Sequence, residues 1–160
     1  MAEKNDERTL MIRRLQKNLS TIRKIAGWTT EQMGNKIGVT KQTISNLENG
    51  KNPMSFTQYI AIRAILDHEI ETNTNNEVLP KVVSILLDGT EEVCDKYKDS
   101  IELVAASASG GVAGMALLGL FTKLVPIAGL GIAVGLAPLG FGVASGIVSA
   151  AWLKTILKNK

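Results

Sequence analysis

Twenty-six residues, Trp28 to Pro53, constrain this chain more than any others: WTTEQMGNKIGVTKQTISNLENGKNP. They read as two short helices joined by a tight turn. Thr29 or Thr30 offers a side-chain oxygen to the free N–H groups that open the first helix. Glu31 then lies in the first turn, where the helix dipole favours negative charge. Met33 and Ile37 are four apart and share one face. Gly38 stands where the backbone must turn left-handed, and Val39 fills the corner. Thr40 caps the second helix, whose apolar residues are Ile44 and Leu47. Gly50 stops it, and Pro53 lies just beyond.

This spacing is the pattern of a helix-turn-helix. The second helix turns small polar and charged side chains outward: Lys41, Gln42, Thr43, Ser45 and Asn46. Amide and ammonium groups of this kind read base edges in the major groove. The stretch resembles the Xre family, the repressor and Cro type of helix-turn-helix found in phages and bacteria. The residues that carry the likeness are Gly38-Val39-Thr40-Lys41-Gln42-Thr43-Ile44-Ser45, Leu47-Glu48-Asn49-Gly50-Lys51 and Pro53. It covers about residues 9 to 70.

The resemblance implies double-stranded DNA as partner, with base contacts from Lys41, Gln42 and Asn46. Thr43 would touch phosphate or base. Lys51 and the backbone near Asn49 would touch phosphate. Thr30 stands where the family often has a glutamine that contacts phosphate and braces the recognition helix. Thr40 joins this DNA-binding set, and Glu48 matches a position that is usually structural.

Charge is unevenly spread. Residues 1–70 carry 11 Lys or Arg against 7 Asp or Glu, residues 71–100 carry 3 against 7, and residues 101–160 carry 4 against 1. A basic front suits a polyanion partner; a dimer would double its modest surplus, and a higher homo-oligomer would multiply it further. Cys94 is the only cysteine, which rules out an internal disulfide. The polar start, MAEKNDERTL, lacks the apolar core of a secretory signal.

Around the central stretch the spacing predicts further helices, so the expected class is all-α. Leu10, Ile12, Leu15, Leu19, Ile22 and Ile25 predict a helix from Thr9 to Ala26, with residues 1–8 frayed. Its outer face carries Arg13, Arg14, Lys17, Arg23 and Lys24, each read singly as a solvated charge. Ser55 caps a fourth helix bearing Phe56, Tyr59, Ile60, Ile62, Leu66 and Ile70. The polar run 71–77 reads as a linker. VLPKVVSILLDG follows as a short helix, and Thr90 caps an amphipathic one with Val93, Tyr97, Ile101 and Val104 in one stripe. The expected division is a DNA-binding domain at 1–70, an acidic linker and helical segment at 71–100, and a glycine-rich hydrophobic hairpin at 101–160.

The hairpin holds two uncharged runs, Leu103 to Phe121 and Ile127 to Trp152. Each has about the 20 apolar residues that a bilayer-crossing helix needs. Gly110 with Gly114, Gly131 with Gly135, and Gly142 with Gly146 are spaced to let helices approach closely in lipid. This predicts membrane lipid as a second partner, with both ends of the chain on the cytoplasmic face of the bacterial membrane. A hairpin buried in a soluble oligomer is the other reading, and it would leave the protein cytoplasmic. Pro138 would kink or divide the second run.

Two function classes follow. One is a repressor-like, sequence-specific transcriptional regulator tethered to the membrane by its hairpin. The alternative is a membrane-disrupting or pore-forming effector whose front domain is regulatory or protein-binding. An enzyme is not expected. There is one His and one Cys, no metal-ligand spacing, and no strand-turn-helix phosphate pattern. No cofactor is called for, and His68 reads as a surface or helix-end residue.

Overall fold

The computed structural model describes residues 2–108 and 114–125. Among these the chain is all helical, with no strand. The helices are α1 (Ala2–Ile25), α2 (Thr30–Ile37), α3 (Lys41–Glu48), α4 (Phe56–Thr72), α5 (Val78–Val83), α6 (Glu91–Ala108) and α7 (Gly114–Leu124). A π-helical turn, Ser84–Asp88, extends α5.

α1 begins at Ala2 rather than near Thr9. Ala, Glu, Lys and Arg are good helix formers, and Asp6 and Glu7 sit toward the positive end of the helix dipole. Leu15, Leu19, Ile22 and Ile25 form its buried stripe. Burying each contributes roughly 1.5–3 kcal/mol. Leu10 falls off that stripe, well over one turn before Leu15, and is 46% exposed.

α1 is the element that both halves of the molecule share. It packs against α3 and α4, and also against α5, the π-helical turn and α6. One contiguous core results, from Met33, Ile44 and Leu47 through Ile62 and Leu66 to Leu79, Ile85, Ile101 and Phe121. The polar run after α4 is fastened down by Asn76. Its Nδ2 donates to the Ile25 carbonyl (2.7 Å), and its Oδ1 accepts from the Leu79 N–H (3.2 Å). One amide thus closes the end of α1 and the start of α5.

The corner at Asp88-Gly89 is held from two sides. Arg14 donates to the carbonyls of Gly89 (2.6 Å) and Leu87 (3.3 Å). Arg63, only 3% exposed, pairs with Asp88 at 3.1 Å. Burial pushes the Asp88 carboxyl up from its ordinary value, and the Arg63 guanidinium pulls it back. Arg14 is therefore no solvated surface charge, which corrects its reading as one.

The first uncharged run is shared between two helices. Val104 and Ala105 complete the α6 stripe that starts at Cys94, Tyr97 and Ile101, while Leu117 and Phe121 of α7 enter the same core, as does Val125. No helix among the described residues is long and apolar enough to cross a membrane. The run's described residues belong to the charge-free end of amphipathic α6 and to α7, a helix of 11 residues. Gly114 is the first residue of α7. Gly110, Gly131, Gly135, Gly142, Gly146 and the second run lie outside the described residues.

Candidate nucleic-acid interface

The local signals of the central stretch become geometry as expected. Thr29 caps α2 in a reciprocal box, its Oγ accepting from the Gln32 N–H (3.0 Å) while Gln32 Oε1 accepts from the Thr29 N–H (2.8 Å). Thr30 is then the first helical residue. Gly38 ends α2 at φ 73°, a left-handed backbone that other residues adopt at a cost. The turn is tight. A Cβ on Gly34 would lie 2.6 Å from the Val39 carbonyl oxygen, so the missing side chain lets α2 meet the corner.

Thr40 caps α3 by accepting from the Thr43 N–H (3.1 Å), and the two hydroxyls lie 3.0 Å apart. Asn49 closes the other end, donating to the Ser45 carbonyl (2.8 Å). Ile44 and Leu47 face the core. Lys41 and Gln42 are exposed, and Thr43 and Asn46 are half-buried. No apolar side chain interrupts Lys41, Gln42 and Asn46 on the outer face. Gln42 Nε2 donates to Asn46 Oδ1 at 2.9 Å. Lys51 is exposed in the loop beyond α3, and its N–H donates to the Asn46 carbonyl (2.9 Å). The structure thus places Lys41, Gln42, Thr43 and Asn46 along one helix. Thr30 opens α2, and Asn49 and Lys51 follow α3.

Sequence reasoning missed what holds α3 from behind. Arg23 of α1 forms a forked pair with Glu48, whose second contact is 3.2 Å, and also donates to the Trp28 carbonyl (2.7 Å). Their side chains are 11% and 10% exposed, so Arg23 too is not a solvated charge. A planar guanidinium suits such a two-pronged contact. Gln16 of α1 donates to the carbonyls of Leu47 (3.0 Å) and Asn52 (2.7 Å) and accepts from the Met54 N–H (2.9 Å). The signal was present in the spacing. Gln16 lies beside Leu15 and three before Leu19, and Arg63 lies four after Tyr59, within the apolar face of α4.

No metal-holding group of three or more His, Cys, Asp or Glu occurs among the described residues. Cys94 is buried, and burial pushes its thiol up from its ordinary value. His68 is exposed toward the end of α4.

Residues 19–67 match the family model described as Helix-turn-helix. The match agrees with the Xre resemblance and supports a DNA-binding transcription regulator. It spans less than a third of the chain, so it identifies this segment and says nothing of the rest. No curated protein and no solved structure matches the chain.

Proposed function

We propose that this protein is a sequence-specific transcriptional repressor that lays α3 in the major groove of double-stranded DNA. The observation that carries the reading is the outer face of α3. It offers an ammonium and two amides, Lys41, Gln42 and Asn46, with no apolar side chain among them. A helix that docked on protein would be expected to present large apolar or aromatic anchors there. Thr30, Thr40, Asn49 and Lys51 lie at the ends of α2 and α3, where side-chain and backbone donors reach phosphate. A single unit buries too little surface for tight binding, so a dimer or higher homo-oligomer is part of the proposal.

The test is operator selection followed by binding titrations in several salt concentrations. Gln42→Ala should weaken the selected site by about 1–3 kcal/mol and relax preference at one base. Equal loss on all sequences would remove Gln42 from base reading. Lys51→Ala should weaken every sequence alike and flatten the salt dependence by about one phosphate. An unchanged salt slope would remove Lys51 from the phosphate contacts.

Membrane attachment is proposed through residues 127–152 alone, which contain no charged residue. Val104, Ala105, Leu117 and Phe121 of the first run lie in the core, so a two-span hairpin draws no support from them. The pore-forming alternative loses the same residues. Carbonate-washed membranes that retain the full chain but not a chain ending at Val125 would support attachment. Equal solubility of the two would refute it.

A further inference from the structure

We infer that Gln42 and Asn46 act as one reader, and that their mutual hydrogen bond selects adenine at the base facing Gln42. The inference rests on the DNA-binding reading above. Gln42 Nε2 donates to Asn46 Oδ1 at 2.9 Å, one turn along α3. A glutamine amide has two N–H hydrogens and one carbonyl oxygen. Asn46 takes one hydrogen. One donor and one acceptor remain side by side at the tip of an exposed side chain.

Adenine presents the complement of that edge in the major groove, an N7 acceptor beside an N6 donor. Guanine presents two acceptors, N7 and O6. Facing guanine, Gln42 Oε1 would meet O6, acceptor against acceptor. The second hydrogen that could satisfy O6 is held by Asn46. Asn46 therefore rejects guanine through its neighbour, which is specificity by penalty rather than by added contact. The same bond orders the long Gln42 side chain before DNA arrives, which lowers the entropy cost of binding. The reverse amide orientation, with Gln42 Oε1 accepting from Asn46, would leave both Nε2 hydrogens free and select guanine instead.

The experiment is enrichment of a randomised duplex library by the full chain, as wild type, Gln42→Ala, Asn46→Ala and Asn46→Asp. The position where Gln42→Ala loses preference is the base facing Gln42. There the wild type should favour adenine over guanine by about tenfold or more, the discrimination expected of a two-pronged base contact. Asn46→Ala should bring the two bases within about threefold, since the freed hydrogen can then serve either. Asn46→Asp keeps an acceptor for the Gln42 donor and should keep the adenine preference, although charge weakens overall affinity. Circular-dichroism melts of each variant separate lost pairing from lost fold. An undiminished adenine preference in folded Asn46→Ala, or guanine preference in the wild type, would overturn the inference and leave the DNA-binding reading standing. A wild type that enriches no sequence overturns both.

Discussion

Removing either partner of the Arg23–Glu48 pair should destabilise the whole molecule, and removing both should cost less than the sum. The two side chains are 11% and 10% exposed, so each single change strands a largely desolvated charge. Breaking a fully buried pair costs about 3–5 kcal/mol, and an exposed one about 0–1 kcal/mol. This pair lies nearer the first limit. In Glu48→Met, Arg23 keeps its bond to the Trp28 carbonyl, which softens the loss to about 2–3 kcal/mol. Arg23→Met also orphans that carbonyl, for about 3 kcal/mol. Replacing both with methionine restores an apolar contact of similar volume, and the coupling energy should be about 2 kcal/mol. The assay is urea unfolding of the full chain for wild type, both single variants and the double variant. Additive losses, with coupling below about 0.5 kcal/mol, would show that the pair is ordinary surface charge and that α3 is held by its apolar face and Gln16 without it.

Two glycines should respond oppositely to alanine. Gly38→Ala forces a side chain onto φ 73° and should cost about 1 kcal/mol, whereas Gly119→Ala, in α7 with open space around it, should gain up to about 1 kcal/mol. Thermal melts decide, and the same sign at both positions would refute the argument. Cys94 should resist alkylation at neutral pH until the chain unfolds, because it is buried and its thiol is raised. The raised thiol also sets a pH dependence. The folded state holds its proton more tightly than the unfolded state, so stability should fall as the pH climbs through and above the ordinary thiol range. That slope should shrink in Cys94→Ala, and an unchanged slope in alkaline melts would contradict it.

The sequence was most legible where structure is decided locally. Thr29, Gly38, Thr40 and Ser55 act within four residues of themselves, so their caps and turns could be placed from spacing alone. Arg14, Arg23 and Arg63 could not be read this way. Their partners lie 25 to 75 residues away, and a charge on a helix looks solvated until the facing element is known. The run from Leu103 to Phe121 was ambiguous for a related reason. A charge-free stretch satisfies a protein core as well as a bilayer, and only the continuing stripe from Tyr97 through Ile101 to Val104 tells them apart. Asn46 was visible as a polar outer residue, but its bond to Gln42 depends on side-chain torsions that spacing does not encode.

The sharing of α1 bears on how this protein can be re-engineered. The matched segment, residues 19–67, starts inside α1, downstream of Leu15 and Gln16. It is therefore not a cassette. A chimera joined at its edges would sever the Gln16 and Asn76 fastenings and leave one flank of the helix uncovered. Grafting a new set of outer residues at 41, 42 and 46 disturbs none of these joints. Target preference should thus be rewritable by exchanging a handful of side chains, while transplanting the recognition unit whole requires carrying its supporting helices with it.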